Sequence, residues 1–172
     1  SAMRQMHIDK IEDIVALTSL NRPGPMENIP VFAEAKNNPD MVPFYDDRVT
    51  PFLAETYGVV VYQDQVLQLA REMAGFTWGE VDVLRKGMGK KQVAVISEQR
   101  EKFLRGCAGR GFPQELAETV WEVMAPFAGY GFNKAHACCY GVVAYITAFL
   151  KANFPTEYMA AVLTQEIGRA HV

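Results

Sequence analysis

The stretch "QDQVLQLAREMAGFTWGEVDVLRKGMGKK", residues 63–91, predicts two consecutive helices. Apolar residues recur at helical spacing in its first half, and Gly75 is a typical C-terminal stop. Thr77 and Glu80 have the spacing of a capping box, which predicts the start of the second helix. Because each helix must pack its apolar face on another element, this stretch predicts a helical domain.

Four cations lie at the end of the second helix, around two glycines that we expect to end it. They are Arg85, Lys86, Lys90 and Lys91, beside Gly87 and Gly89. Between positions 85 and 110 eight Lys or Arg residues stand against two acids, a charge of +6, whereas the whole chain carries −3. A polyanion would be attracted by this local patch and not by the average charge.

Hydrophobic periodicity and turn residues predict helices along most of the remaining chain. "GVVVY" at 58–62 is the one β-like run, and we interpret it as buried chain that leads into a helix. An aromatic loop, "APFAGYGF", is predicted at 125–132. Further helices are predicted over residues 8–20, 27–38, 46–58, 92–110, 115–124 and 133–153, with a short one from residue 156.

The expected fold is therefore an all-α, irregular multi-helix domain with at most one very short β-like segment. Five apolar residues at helical spacing are expected in the core. They are Leu84, Val120, Trp121, Tyr145 and Leu150.

Length and composition indicate one domain, because 172 residues with 49% apolar side chains can bury a core. Residues 1–3 resemble a tag scar, and residues 166–172 resemble a translated adapter, so the domain is assigned to residues 4–165. We interpret the chain as a piece of a longer reading frame.

The cysteines favour a reducing cytoplasm, because Cys107, Cys138 and Cys139 are odd in number and lack the spacing of a disulfide framework. We see no apolar run near the roughly 20 residues of a membrane span and no signal peptide, so no membrane contact is expected. His136 beside the last two cysteines is weighed as a metal site and set aside, since zinc usually takes four spaced ligands.

Three long stretches carry a family resemblance: "LNRPGPM" (20–26), "ETYGVVVYQDQVLQLAREMAGFTWGEVDVLRKGMGKK" (55–91) and "FAGYGFNKAHACCYGVVAYITAFLKANFPTEYMAAVLT" (127–164). In this order they resemble the fingers region of the bacterial DNA polymerase III alpha subunit, the family C replicative polymerase. The resemblance implies a bacterial, cytoplasmic location. The implied partners are incoming dNTP, primer-template DNA, and the palm and other domains of the parent polymerase.

The resemblance also implies a nucleotide site. The family pattern Leu-Leu-Arg-Arg-Ala-Met-Gly-Lys-Lys receives the incoming triphosphate, which assigns that role to Arg85 and Lys86, with Lys90 and Lys91 beside them. Lys86 keeps the charge of the family's arginine but lacks the guanidinium fork. Gly87 replaces an alanine, which should loosen the helix end by about 1 kcal/mol.

The family's second pattern, Phe-Asn-Lys-Ser-His, corresponds to Phe132–His136 and adds Asn133, Lys134 and His136 to the nucleotide site. Ala135 lacks the family's hydroxyl. A triphosphate needs its charge neutralised and held in line, and cations in the first turn of a helix suit a bound anion. We therefore expect both motifs to lie on one concave surface.

Local residue chemistry leaves alternatives open for each of these residues. A basic run is often a solvated helix face, Asn133 suits a helix cap, and His136 suits a satisfied polar group. Three aromatic residues of the predicted loop suit base stacking or loop packing: Phe127, Tyr130 and Phe132. Gln63 and Gln65 suit DNA or nucleotide contacts or a solvated first turn, and Arg22 suits a loop brace or a phosphate contact.

No cluster of acidic residues suited to a two-metal site is visible in the sequence, and the family's palm signature of alternating aspartates is missing. The parent enzyme, a DNA-directed DNA polymerase, would hold Mg²⁺ with palm carboxylates outside this chain. The chain alone is expected to be inactive, with no catalytic or metal-binding residues. The alternative is a stand-alone helical module that binds phosphate or nucleic acid without catalysis.

Overall fold

A computed structural model describes residues 2–38, 46–90 and 92–169, without the side chains of residues 126, 128–130 and 166–169. These ranges contain helices and turns but no β-strand, which confirms the all-α class. The helices are α1 (Ala2–Gln5), α2 (Ile11–Leu20), α3 (Ile29–Asn37), α4 (Thr50–Leu53), α5 (Gln63–Ala74), α6 (Trp78–Gly89), α7 (Val93–Gly109), α8 (Gln114–Tyr130), α9 (Lys134–Asn153) and α10 (Pro155–Arg169). Short 3₁₀ helices span Pro25–Asn28 and Ala54–Thr56.

The predicted boundary between α5 and α6 is confirmed. Gly75 ends α5 in the left-handed conformation, with φ 72°. The Thr77 N–H donates to Glu80 Oε2 at 2.7 Å, and the Glu80 N–H donates to Thr77 Oγ1 at 3.4 Å. This reciprocal pair is a capping box, as the spacing predicts.

Of the two glycines predicted to end α6, Gly89 is its last residue, whereas Gly87 lies inside the helix. Gly87 is buried, and a Cβ at this position would lie 2.6 Å from Val95 Cγ1. The glycine therefore provides room for α7 to pack against α6, and the predicted loosening of the helix end stays a prediction.

The predicted loop at 125–132 is also wrong for most of its length, because α8 continues to Tyr130. Phe127 lies on the buried face of this extension, so packing compensates for the helix-breaking signals in the segment. The last helix is longer than predicted as well. It begins at Pro155, a residue favoured at the first helical position, and ends at Arg169.

Two clusters of buried side chains form the core. The first cluster joins α5, α6, α7 and α8, and the second joins α2, α3 and the start of α9. Segment 59–62 runs between them: Val60 belongs to the first cluster, whereas Val59, Val61 and Tyr62 belong to the second. This confirms that the segment is buried chain leading into a helix. At its end, the backbone of Tyr62 forms an isolated parallel β-bridge with Phe132.

Three of the five predicted core residues are confirmed: Leu84, Val120 and Trp121 are 1%, 2% and 4% exposed. The prediction is wrong for Tyr145 and Leu150, which are 51% and 37% exposed. Both lie on α9, which packs mainly on α2. The spacing identified an apolar face correctly, but the described part of the chain does not cover it.

The expectation that the chain holds no stretch resembling a membrane span also needs correction. Lys134–Asn153 has the length and hydropathy that would allow it to cross a membrane, judged by length and composition alone. The signal was missed because polar residues interrupt every continuous apolar run in α9. Core helices of soluble proteins can pass the same test, so this observation alone assigns no membrane.

Replacing Leu84 with alanine should lower the free energy of unfolding by about 2–5 kcal/mol, because the side chain is fully buried among α6, α7 and α8. Leu163→Ala is the matched control, since Leu163 is 56% exposed, and should cost less than about 1 kcal/mol. Urea titration of both variants measures the difference. Equal losses would contradict the assigned core.

Candidate functional site

The first two predicted cations, Arg85 and Lys86, project from the last turns of α6 and share one carboxylate. Arg85 Nη2 lies 2.8 Å from Asp82 Oδ1, and Lys86 Nζ lies 2.6 Å from Asp82 Oδ2. Hydrogen bonds from Lys86 and Arg85 hold the pKa of Asp82 below its usual value, so the carboxylate stays ionised. Two positive charges against one negative charge leave this turn positive; Lys86 is exposed and Arg85 is half-buried.

The two lysines after these cations differ in what the structure describes. Lys90 is exposed at the end of α6, where its backbone N–H donates to the Lys86 carbonyl at 3.1 Å. Lys91 lies outside the described residues. Lys90 therefore adds a solvent-facing charge one turn beyond the pair on Asp82.

At its other end, α6 is held by an ion pair with α7. Lys102 Nζ pairs with Glu80 Oε1, the capping-box carboxylate. Hydrogen bonds from Lys102 and then Thr77 lower the pKa of Glu80 to about 2. Glu80 therefore stays ionised at neutral pH, and its ion pair with Lys102 connects the start of α6 to α7.

The second motif begins α9 in the way that the sequence predicts. Asn133 Oδ1 accepts the His136 N–H at 2.9 Å, so Asn133 is the N-cap. The Phe132 carbonyl accepts the Gln63 N–H at 3.0 Å, which ties this turn to the start of α5. Asn133 therefore has a structural role as a cap. If it also contacts nucleotide, as predicted, the same side chain must serve both purposes.

The two charged or titratable side chains of this motif face different neighbours. Lys134 Nζ pairs with Glu55 and lies 5.6 Å from the centroid of the Tyr62 ring. The exposed His136 ring packs beside aromatic rings, with centroids 5.3 Å from Phe132 and 4.6 Å from Tyr140. Lys134 is therefore paired with a carboxylate, as are Arg85 and Lys86, which we call the α6 cations.

Arg22 joins this second motif through Phe132. Its guanidinium lies 4.7 Å from the centroid of the Phe132 ring, and its Nε donates to the Ser19 carbonyl at 2.9 Å. Both contacts support the interpretation of Arg22 as a brace for the loop. Phe132 is half-buried between the guanidinium and the His136 ring, which matches loop packing.

Gln65 is the predicted contact that the structure places inside the protein. Its side chain is buried, and its Oε1 accepts the N–H groups of Val61 at 2.8 Å and Tyr62 at 2.9 Å. The expected solvated first turn is therefore wrong for Gln65, whose amide stabilises the fold. Gln63 is half-buried, and Phe127 is buried in the first cluster, away from the stacking role considered for it.

The structure thus brings Arg22, Gln63 and His136 into contact with Phe132, and Asn133 and Lys134 follow Phe132 in the chain. We call these six residues the Phe132 cluster. The α6 cations belong to a helix of the first hydrophobic cluster, and the Phe132 cluster lies beside the second. Helix α5 contacts α6 and begins beside Phe132. That the two groups share one concave surface stays a prediction.

Sequence reasoning missed the two carboxylates that hold these cations. Asp82 could have been found, because it stands three and four residues before Arg85 and Lys86, the spacing of neighbours on a helix surface. Glu55 pairs with Lys134 across 79 positions, and no local pattern signals such a contact. Within the described ranges, no group of three His, Cys, Asp or Glu side chains is placed to hold a metal ion.

Comparison with known proteins identifies the family. The family model of the bacterial DNA polymerase III alpha subunit finger domain matches residues 1–111. The chain therefore belongs to the bacterial DNA polymerase III alpha subunit family, and its matched part is the finger region.

Particular relatives extend the match beyond residue 111. DNA polymerase III subunit alpha of Treponema pallidum (strain Nichols) is 52% identical over 94% of this chain. The proteins of the same name from Thermus aquaticus and Staphylococcus epidermidis are 43% and 39% identical over 96% and 98% of it. The chain spans only 14% of the length of the first relative and of the Thermus protein, and 16% of the Staphylococcus protein.

Asn133→Ala should destabilise the chain by about 1 kcal/mol, because the His136 N–H loses its capping acceptor. Asn133→Asp is the control, since an aspartate oxygen can cap the same N–H and should keep most of the stability. Thermal unfolding by circular dichroism compares the three proteins. Equal losses for alanine and aspartate would show that capping is not what Asn133 contributes.

Proposed function

We propose that this finger region binds the triphosphate of the incoming dNTP during templated DNA synthesis by the complete polymerase. Arg85 and Lys86 carry the proposal, because they form a solvent-accessible positive turn at the end of α6 with a single shared carboxylate. Lys90 and Lys91 extend the positive region. Asn133, Lys134 and His136 would bind the same nucleotide if the two motifs meet on one surface.

The chemistry of a triphosphate supports this assignment. Several negative charges must be neutralised and held in line while a phosphoryl group is transferred. The α9 N-terminus offers the positive end of a helix dipole, and Lys134 and His136 stand in its first turn. Cations at that end of a helix are unfavourable by themselves, and a bound phosphate would remove the conflict.

The ion pairs observed on these cations do not argue against phosphate binding. Exposed pairs such as those on Asp82 are typically worth about 0–1 kcal/mol. Charge-assisted hydrogen bonds to an ionised phosphate are typically worth about 1.5–3 kcal/mol each. A multiply charged triphosphate can therefore displace Asp82 from Arg85 and Lys86, and Glu55 from Lys134.

We further propose that this region lines the channel near primer-template DNA. The basic residues of α7 support this second proposal. Arg105 is exposed and Arg100 is half-buried on this helix, whereas Lys102 is paired with Glu80. Arginines along an exposed helix suit the phosphate backbone, a contact that carries no sequence preference. Arg22 and Gln63 of the Phe132 cluster are further candidates for such contacts.

Catalysis by metal ions would rest on parts of the polymerase beyond this chain. Mg²⁺ in a two-metal site needs clustered, available carboxylates. Asp9 and Asp13 are close together, but both pair with Lys36, at 2.9 and 2.5 Å, so these acids do not fit a magnesium site. The finger region would position nucleotide, and carboxylates elsewhere in the cytoplasmic bacterial enzyme would hold Mg²⁺.

A stand-alone binding module, the alternative considered from sequence, is less well supported. The relatives match nearly the whole chain, and the chain covers 14% of the first of them. A segment with this relation to much longer polymerase chains is better explained as one part of a polymerase.

Titration of labelled dNTP at low salt tests the nucleotide site. Replacing Arg85 and Lys86 together with alanine should weaken binding by about 1–3 kcal/mol, the range of charge-assisted hydrogen bonds, and should leave folding intact. Lys86→Arg should tighten binding, because a guanidinium can bond two phosphate oxygens. Arg4→Ala with Lys151→Ala is the control for lost charge, since both residues are exposed and lie outside the proposed site.

Measurable binding that is equal in wild type and in the Arg85 and Lys86 double variant would remove α6 from the site. Equal weakening by the control variant would show attraction by net charge and not a site. Primer extension by the purified chain, with any divalent metal, would contradict the division of roles between this region and the rest of the polymerase.

A further inference from the structure

Helices α9 and α10 expose an unusual concentration of large apolar side chains. We call this surface the α9–α10 face. Monomeric soluble proteins rarely leave a contiguous apolar surface of this kind open to water. Its members on α9, the turn and α10 are Tyr140, Val142, Val143, Tyr145, Ile146, Phe149, Leu150, Phe154, Met159, Val162 and Leu163.

One side of α9 is already used inside this chain. Gly141 is buried against α2, and a Cβ at this position would lie 2.8 Å from Val15 Cγ2. Ala137 is fully buried in the second cluster. Small residues thus seat α9 on α2, and the larger apolar side chains are left on surface that the described residues do not cover.

The turn between the two helices belongs to the same face. The rings of Phe149 and Phe154 lie 6.4 Å apart by their centroids, and both are about half exposed. A partner that covers the exposed parts of several such side chains would remove apolar area from water, so the hydrophobic effect would favour its binding.

The relatives are much longer than this chain and offer additional polypeptide that could cover the face. The finger-domain match ends at residue 111, whereas the polymerase relatives match 94–98% of the chain, so α9 and α10 lie beyond that match but within the polymerase sequence. These relatives are far longer, since the chain spans 14–16% of their length. Most of the polypeptide that could cover the face is therefore outside residues 1–172.

A membrane fits the geometry less well. Only 11% of the apolar stretch of α9 is buried within the chain, and the buried residues of this helix are Ala137 and Gly141. Gly141 lies against Val15 of α2, and Ala137 lies in the second cluster. Moving α9 into a bilayer would uncover Val15 and its neighbours in the second cluster. Because α9 seats small residues on α2 and carries large apolar side chains on its remaining surface, it fits a helix that is buried inside a larger protein.

We infer that the α9–α10 face is an intramolecular docking surface, covered in the complete polymerase by an apolar segment of the same chain outside residues 1–172. This surface would fix the finger region to the rest of the enzyme. The inference rests on family membership and exposure, and it is independent of the proposed nucleotide site.

Amide hydrogen exchange of residues 140–163 in this chain and in the complete polymerase tests the inference. Exchange should be at least tenfold slower in the complete polymerase, because the covered helices open less often. Ile146→Gln with Phe149→Gln should remove most of that extra protection and lower the melting temperature of the complete polymerase. In the present chain the same pair should change the melting temperature little, since both side chains are about half exposed.

Val31→Gln with Val93→Gln is the matched control, because these valines are exposed on other helices at 53% and 79%. It should leave protection of the face unchanged in both proteins. Equal exchange in the two wild-type proteins would overturn the inference, and this comparison needs no variant to fold. Slow exchange in the present chain together with a concentration-dependent dimer in sedimentation would assign the face to a second copy. Co-flotation of the chain with phospholipid vesicles, lost in the Ile146 and Phe149 variant, would assign it to a membrane.

Discussion

The side-chain amide of Gln65 connects the buried segment 59–62 to the neighbouring chain around Phe52 and Thr56. Its Oε1 accepts two backbone N–H groups of the buried segment 59–62, and its Nε2 donates to Thr56 Oγ1 at 2.7 Å and to the Phe52 carbonyl at 3.2 Å. The Thr56 hydroxyl donates in turn to the Val59 carbonyl at 2.6 Å. Buried backbone groups outside a helix or sheet must find partners, and one glutamine supplies them here.

The two hydrophobic clusters and the candidate site depend on that segment. Because successive side chains of extended backbone point in opposite directions, Val60 joins the first cluster while Val59 and Val61 join the second. The segment ends at Tyr62, which pairs with Phe132 and so positions the first turn of α9. Phe132 therefore lies where the start of α5, the N-cap of α9 and Arg22 meet. From there α5 packs against α6, α7 and α8.

Local signals in the sequence predicted much of the fold and the Asn133 cap of the candidate site. The Thr77 capping box, the Gly75 stop and the Asn133 cap depend on residues within a few positions of one another, so their patterns were sufficient. The errors arose where distant packing decides. Gly87 resembled a helix stop but makes room for Val95, and Gln65 resembled a surface residue but bonds buried backbone. Tyr145 and Leu150 followed core spacing, but periodicity shows that a face is apolar without showing what packs against it.

Native-state amide hydrogen exchange of Gln65→Ala tests the central role of Gln65 most directly. The exposed residue Gln68, in the same helix, provides the matched control Gln68→Ala. Leaving the Val61 and Tyr62 N–H groups buried without an acceptor should cost about 1–3 kcal/mol for each group. We expect Gln65→Ala to lower protection in α3 of the second cluster and in α8 of the first, with little change in Gln68→Ala. Unchanged protection in both helices, or a loss confined to one cluster, would contradict the account that segment 59–62 couples the two.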